Sequence, residues 1–146
     1  MTKINFYIGS ATNNVEHDAM VIACRITEKA FKQGHSVYVY TQHPAMSKTF
    51  DELLWSFRQN SFVPHRLEGS TASSLDHVPD VLIGCEADAE SHHHVLVNLS
   101  DHAPHFFSRF PRMAEIVANS EQAKAKSRER YTQYKSRGYP LEVHHL

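Results

Sequence analysis

Two short apolar runs flank a longer helical pattern at the start of the chain, and this order constrains the fold more than any other feature. Ile4–Ile8 (INFYI) predicts a buried strand, and Ser36–Tyr40 (SVYVY) predicts a second one. Between them, apolar residues recur at helical spacing over Val15–Gln33, and Gly34 stands where a glycine commonly ends a helix. The sequence therefore predicts a βαβ unit, with parallel strands and a right-handed crossover.

The rest of the chain continues to alternate apolar runs with helical patterns. Two further helices are predicted, at about Ala45–Phe57 and at about Pro104–Ala118. Further strands are predicted at Ser61–Val63, Val81–Ile83 and Val95–Leu99. Residues 66–80 are polar and rich in turn formers, which predicts an exposed loop. Because no repeat or linker interrupts these elements, we expect a single α/β domain over residues 1–146, with a mostly parallel sheet flanked by helices.

The loop after the first strand is where a nucleotide sits in folds of this kind. Here it reads GSATNNVEHD, from Gly9 to Asp18. It contains neither the three-glycine dinucleotide fingerprint nor the Gly-Lys-Ser/Thr of a phosphate-binding loop. We therefore predict a Rossmann-like architecture without nucleotide chemistry and without a cofactor. A small nucleotide-binding enzyme or sensor that uses this loop is the alternative.

The composition excludes a protein that coats nucleic acid by bulk electrostatics. The formal net charge is −1 and the isoelectric point is about 6.9. Two cysteines, Cys24 and Cys85, form no disulfide framework and fit a reducing compartment. The sequence lacks a signal peptide and any apolar run long enough to span a bilayer, so we expect a soluble, cytoplasmic protein.

No motif of a known catalytic or metal site occurs in the sequence. Cys24 lies among apolar residues in the first predicted helix and is interpreted as a small core residue. Cys85 and His65 each follow a predicted strand, but neither has a catalytic partner close in sequence. The chain has 12 histidines, including the run His92–His94. Together with Cys85 this run fits no common zinc spacing, so no metal is predicted.

A basic helix is predicted at Glu121–Gly138, where six Lys or Arg residues stand against two acids. At 100° per residue, Lys124, Arg128, Tyr131 and Lys135 fall within a stripe roughly 60° wide. Three cations beside a phenol ring suit an acidic, partly apolar partner. A solvated charged face and direct nucleic-acid binding are the alternatives.

Two segments carry a resemblance to a known family. They are Leu53–His65 (LLWSFRQNSFVPH) and Arg128–Gly138 (RERYTQYKSRG). With FYI at Phe6–Ile8 and VLVNLS at residues 95–100, the chain resembles the chi subunit of bacterial DNA polymerase III. The resemblance is poor over residues 66–94 and in the PLEVHHL tail, so no function is carried over to those segments.

The resemblance implies a non-enzymatic adaptor in the clamp-loader assembly, active in DNA replication at the bacterial replication fork. The nucleotidyltransferase activity would belong to the polymerase holoenzyme, not to this chain. Chi-like proteins pair with the psi subunit, which tethers them to the clamp loader. They also bind the acidic C-terminal tail of the single-stranded-DNA-binding protein, which ends in phenylalanine. A helicase-like repair protein is a further implied partner and would compete with psi. Nucleic acid would be contacted only indirectly.

The resemblance also implies which residues bind these partners. The implied tail-binding residues are Val117, Lys124, Arg128, Tyr131 and Tyr134, with Lys135 adding less directional attraction. Arg128 can pair with a carboxylate through two hydrogen bonds. Trp55 and Phe62 map to the surface that faces psi. For these two aromatic residues, packing in the core is the alternative.

Overall fold

Seven strands, all parallel, form one sheet in the computed structural model, which describes residues 1–10, 14–58, 63–68, 81–86 and 94–146. The strands are β1 (Lys3–Ile8), β2 (Val37–Tyr40), β3 (His65–Leu67), β4 (Val81–Gly84), β5 (Val95–Asn98), β6 (Arg112–Val117) and β7 (Leu141–His145). The helices are α1 (Val15–Lys32), α2 (Pro44–Ser56) and α3 (Glu121–Ser136). The strand order in the sheet is β3-β4-β2-β5-β6-β1-β7. The predicted α/β fold is therefore confirmed.

The predicted strand–helix–strand unit is present at the start of the chain. β1 and β2 lie parallel in the same sheet, with β6 and β5 between them. The side chain of Asn14 accepts a hydrogen bond from the backbone N–H of His17 and caps the start of α1. Beyond the end of α1, Gly34 has a φ of 84°, a conformation that residues with a Cβ rarely adopt.

Helices cover both faces of the sheet, and the apolar side chains alternate between the two. α1 and α2 pack on one face, where Tyr7 and Ile116 point. α3 packs on the other face, where Phe6 and Val117 point. Because successive residues of a strand point to opposite faces, a strand buried on both sides reads as a nearly continuous apolar run. The predictions of β4 and β5 from such runs are confirmed.

The helix predicted at Pro104–Ala118 is wrong. The segment contains a short 3-10 helix, Phe107–Arg109, followed by strand β6. Pro111 explains the difference, because proline lacks a backbone N–H and disfavours the helical conformation at the preceding residue. Phe110 accordingly adopts an extended conformation. The apolar residues are buried, as predicted, but they serve two faces of a sheet, with Met113 on the α3 side and Ile116 on the α1 side.

Of the strand predicted at Ser61–Val63, only Val63 is among the described residues, and there the prediction is wrong. Residues 59–62 lie outside the described residues, and Val63 belongs to no strand. The strand, β3, starts at His65, immediately after Pro64, and pairs with β4. The predicted loop at residues 66–80 therefore begins with strand residues, and its part from 69 onwards is not described.

No structure was predicted for the PLEVHHL tail. It forms β7, which pairs with β1 and provides one edge of the sheet. Its residue types explain the omission, since the strand holds few apolar residues and three histidine or glutamate side chains. Among the described residues, no helix is long and apolar enough to cross a lipid bilayer.

Candidate functional site

A cleft of about 570 Å³ lies between one face of α3 and the carboxyl ends of β1 and β7. We call it the α3–β7 cleft. Its lining residues are Phe6, Ile8, Gly9, Ser10, Asn119, Lys124, Ser127, Arg128, Tyr131, Val143, His145 and Leu146. Open parallel sheets commonly bind their ligands at the carboxyl ends of the strands, and this volume is in the usual range for such sites.

The α3 wall of the cleft carries cations at its rim and a ring below them. Ser120 caps the helix by accepting a hydrogen bond from the backbone N–H of Ala123. One turn apart, Lys124 is half-buried and Arg128 is exposed. The half-buried ring of Tyr131 packs against Phe6 of β1, with 5.7 Å between the ring centroids. The wall therefore offers positive charge above an aromatic surface.

The opposite wall comes from β7. In the parallel register Phe6 lies beside Val143, and Ile8 lies beside His145. The backbone N–H of Leu146 donates to the carbonyl oxygen of Ile8 at 3.0 Å, which continues the pairing past the end of β7. The side chains of this wall are apolar apart from the imidazole of His145.

A buried polar network fixes α3 to the sheet. Glu115, in the middle of β6, is 0% exposed and accepts three hydrogen bonds. Tyr134 Oη donates to Oε2 at 2.6 Å, Arg130 Nε donates to Oε2 at 3.1 Å, and Asn98 Nδ2 donates to Oε1 at 2.7 Å. Both α3 residues in this network are on the helix face that contacts the sheet. A buried charge is tolerated when it is paired and hydrogen-bonded, as here.

The network extends to the loop that follows β5. Arg130 Nη1 donates to the carbonyl oxygen of Asp101 at 2.9 Å. The carboxylate of Asp101 accepts from Lys126 Nζ at 2.7 Å, and this hydrogen bond is the main cause of the lowered pKa of Asp101. Asp101 thus holds two cations that lie one turn apart on α3, Lys126 and Arg130. The orientation of α3 about its own axis is fixed by these contacts.

Burial controls the protonation of the network. Removal from water raises the pKa of Glu115, and the charge of Arg130 and the hydrogen bonds from Tyr134, Arg130 and Asn98 oppose that rise. Burial and the adjacent carboxylate raise the pKa of Tyr134, so its hydroxyl keeps its proton and acts as a donor.

The structure brings together three of the six residues that the resemblance and the charge pattern assigned to tail binding. Lys124, Arg128 and Tyr131 line the α3–β7 cleft. Lys135 is exposed on α3 but does not line the cleft. Val117 and Tyr134 are each 1% exposed and lie beneath the cleft, in the apolar cluster under α3.

The second predicted surface lies on the other side of the sheet, near the end of α2. Trp55 is 52% exposed, which is unusual for so large a ring. Its ring packs on the buried His65, with 4.3 Å between the ring centroids. His65 is held by two carbonyl oxygens, that of Val63 at 2.6 Å from Nδ1 and that of Asp51 at 3.0 Å from Nε2. Phe62 lies outside the described residues.

The remaining catalytic candidates differ in their surroundings. Cys24 is fully buried, and burial raises the pKa of its thiol to about 12, so its prediction as a core residue is confirmed. Burial also raises the pKa of the Cys85 thiol, so the reactive thiolate form is less populated.

His65 does have an acid nearby in space, because Asp51 Oδ1 lies 3.3 Å from its Nε2. Sequence spacing could not reveal this pair. His92 and His93 are outside the described residues, among which no metal-binding group of three or more ligand side chains occurs.

Sequence reasoning missed the strand residues of the cleft. Phe6 and Ile8 were assigned to a buried strand, and Val143 and His145 were given no role. The available signal was that Val143 and His145 are two residues apart, which places both side chains on one face of a strand. Without knowing that β7 pairs with β1, that spacing identifies no site.

The comparisons with known proteins cover nearly the whole chain. A family model described as DNA polymerase III chi subunit, HolC, matches residues 1–142. DNA polymerase III subunit chi of Pseudomonas aeruginosa is 33% identical over 146 residues, which are 100% of this chain and 98% of that protein. The subunit chi of Haemophilus influenzae is 27% identical over 141 residues, with 97% and 95% of the two chains covered. That of Escherichia coli is 24% identical over 143 residues, with 97% and 96% covered.

Proposed function

The chain belongs to the DNA polymerase III chi-subunit family and is a replication accessory subunit, and from this premise we propose that it is an adaptor. In this proposal the α3–β7 cleft binds the acidic, phenylalanine-terminated tail of the single-stranded-DNA-binding protein. A separate surface around Trp55 binds the psi subunit. The protein then links coated template to the clamp loader and performs no catalytic step of its own.

The observation that carries the proposal is the combination of charges and rings in the cleft. Lys124 and Arg128 stand at the rim, and Tyr131 and Phe6 form an apolar surface below them. An aromatic side chain at the end of an acidic peptide can enter the cleft while its carboxylates face the cations. Exposed charge pairs chiefly raise the association rate and weaken with salt, whereas the buried ring slows dissociation.

Val117 and Tyr134 contribute to this site from below. Both are buried, so a tail of this kind would touch neither one directly. Tyr134 contacts the ring of Phe6, with 6.1 Å between centroids, and thereby supports the floor of the cleft. Lys135 lies farther along α3 and acts through long-range attraction.

Calorimetry with a synthetic acidic peptide that ends in phenylalanine tests the tail site. We expect saturable binding of micromolar strength, on the order of −7 to −8 kcal/mol. Replacement Arg128→Ala should cost about 1.5–3 kcal/mol, the range for a hydrogen bond to a charged group. Arg137→Ala is the matched control, since Arg137 is exposed at the end of the same helix but outside the cleft. Equal loss in both variants would reject the site and leave only non-specific attraction.

Co-purification with psi tests the second surface. A half-exposed tryptophan at an interface centre commonly dominates binding, so Trp55→Ala should abolish co-purification. Trp55→Phe keeps an apolar ring and should retain part of the binding. If the helicase-like repair protein uses the same surface, purified psi should displace it. Undiminished psi binding by Trp55→Ala would rule out this ring as the anchor.

A further inference from the structure

Both ring nitrogens of His65 face oxygen atoms in the protein interior. The side chain of His65 is 0% exposed. Its Nδ1 lies 2.6 Å from the carbonyl oxygen of Val63, and its Nε2 lies 3.0 Å from the carbonyl oxygen of Asp51. The carboxylate oxygen Oδ1 of Asp51 is also 3.3 Å from Nε2. Because a carbonyl oxygen accepts hydrogen bonds and donates none, each ring nitrogen needs a proton to form its bond.

A neutral imidazole cannot meet this requirement, because it carries a hydrogen on only one ring nitrogen. The other nitrogen of His65 would face a carbonyl oxygen with no hydrogen between them, and a buried polar group without a partner costs free energy. With a proton on each nitrogen both bonds form, and the carboxylate of Asp51 balances the charge. Burial raises the pKa of Asp51, and the charge of His65 opposes that rise.

The ring of Trp55 lies on this imidazole. The two ring centroids are 4.3 Å apart. Asp51 and Trp55 are one turn apart on α2, so both side chains are on the helix side that meets His65. A cation within about 6 Å of an indole centroid is attracted by the π electrons of the ring. The half-exposed Trp55 is thus supported from inside by a residue of another element, strand β3.

We propose that the Asp51–His65 pair holds a proton in the folded protein, and that His65 is the positioning residue that keeps the Trp55 ring in its exposed orientation. In its consequence for psi this rests on the proposed function. A contact residue that is already fixed loses less conformational freedom on binding, which favours affinity. Psi should therefore bind more tightly while the pair keeps its proton, and psi affinity should fall as the pH rises.

The other charged groups around His65 provide no second source of this pH dependence. Glu52, next to Asp51 on α2, adds a second negative charge nearby. Arg66, the next residue of β3, points to the opposite face of the sheet. Strand β4, which pairs with β3, has the sequence VLIG and no titratable side chain. Carboxylates and guanidinium groups ordinarily keep one charge between about pH 6 and about pH 9, whereas histidine does not.

Intrinsic fluorescence tests the proton without any partner, because Trp55 is the only tryptophan in the sequence. A protonated imidazole in contact with an indole quenches its emission more strongly than a neutral one. Emission of the unmodified protein should therefore increase between about pH 6 and about pH 9. His65→Gln should remove the increase, and Asp51→Asn should move it to lower pH. His17→Gln is the matched control and should retain it, since His17 is exposed on α1.

NMR of the unmodified protein keeps the test decisive if His65→Gln does not fold. In ¹⁵N-labelled protein the ring protons of His65 are identified through their contact with Trp55. At about pH 7, both ring nitrogens should have the chemical shift of a protonated nitrogen. A shift typical of a lone pair on either nitrogen would overturn the proposal, as would emission that is constant with pH or that changes equally in His65→Gln.

Calorimetry with purified psi tests the positioning role. Between about pH 6 and about pH 9 the affinity of the unmodified protein should fall about twofold to tenfold, the worth of one hydrogen bond. His65→Gln should bind psi more weakly at the lower pH and show little further loss, and its own pH ratio corrects for titration of psi itself. His17→Gln should behave as the unmodified protein does.

The outcomes distinguish failure of this inference from failure of the proposed function. Psi binding with the same pH ratio in the unmodified protein and in His65→Gln would overturn the positioning role and leave the proposed function standing. Absence of psi binding at every pH would overturn the proposed psi surface and the role of His65 in it. The fluorescence and NMR measurements use no partner, so they decide the protonation of the Asp51–His65 pair in either case.

Discussion

The two faces of α3 contain the same kinds of side chain in opposite environments. Arg128 is exposed at the rim of the α3–β7 cleft, whereas Arg130, two residues later, is 6% exposed and bonded to Glu115. Tyr131 offers its ring to the cleft, whereas Tyr134 is buried and donates its hydroxyl to the same carboxylate. One face recognises a ligand in our proposal, and the other face attaches the helix to the sheet.

This difference shows how one short basic segment can do both tasks. Residues two apart on a helix point about 200° apart, so adjacent basic residues of the sequence serve different sides. Removing the ions of the inner face from water is costly, and their hydrogen bonds offset that cost. In return the inner face fixes the helix orientation, which sets where the outer cations stand.

The largest effect is expected from breaking the inner ion pair. Arg130→Met keeps much of the side-chain volume but leaves Glu115 buried without its cation. It should lower the free energy of unfolding by about 3–5 kcal/mol, the typical cost of leaving a buried charge unpaired. Urea unfolding at pH 7 measures this. The exposed Arg128→Met is the matched control and should change stability by less than about 0.5 kcal/mol.

The same variant should show a characteristic pH dependence. Without Arg130, the main influence that lowers the pKa of Glu115 is lost and burial raises that pKa further. A carboxyl group with a raised pKa in the folded state destabilises the fold above that pKa and ceases to do so once protonated. The penalty of Arg130→Met should therefore shrink as the pH is lowered from 7 to about 5. The double variant Arg130→Met, Glu115→Gln should remove most of this pH dependence; an unchanged slope would contradict the assignment to Glu115.

An intermediate effect is expected when a single hydrogen bond of the inner face is removed. Tyr134→Phe deletes only the hydroxyl that donates to Glu115, and should cost about 1.5–3 kcal/mol of stability. Tail-peptide affinity of the folded variant should change less than about twofold, because the ring that supports Phe6 remains. Tyr131→Phe, on the outer face, is the comparison and should leave stability nearly unchanged. A large affinity loss in Tyr134→Phe with unaltered stability would reverse the roles assigned to the two tyrosines.

The smallest effect is expected from the cation outside the cleft. Lys135→Ala should weaken peptide binding by about 0.2–1 kcal/mol, and the difference should vanish at high salt. Lys124→Ala removes a cation that lines the cleft and should weaken binding more. Calorimetry at two salt concentrations measures both. If Lys135→Ala costs as much as Lys124→Ala, the ligand extends beyond the α3–β7 cleft.

Much of the fold could be predicted because its signals are local. The helix α1 was placed by apolar periodicity and a terminal glycine, and α3 by its run of helix formers. At Pro104–Ala118 the apolar spacing resembled a helix, yet Pro111 divides the segment and the following strand is buried on both faces. Spacing alone does not separate these cases. β7 was missed because its stability comes from pairing with β1 rather than from its own residue types.

The cleft could likewise be predicted from the sequence only in part. The cationic stripe was predicted from α3, and Lys124, Arg128 and Tyr131 do lie together. Whether Tyr134 faces a ligand or the core depends on Glu115, a residue 19 positions away on another element. The exposure of Trp55 likewise depends on His65, which comes to it from β3.

The sequence by itself determined the class of the fold, the positions of α1, α2 and α3, the positions of most strands and the presence of one strongly basic helix. These properties follow from periodicity, caps and charge, which act within a few residues. Only the tertiary structure decided which face of α3 is buried, that β7 closes the cleft and that Trp55 is exposed. The reason is that burial is set by contacts between distant segments, such as β7 with β1 and Arg130 with Glu115.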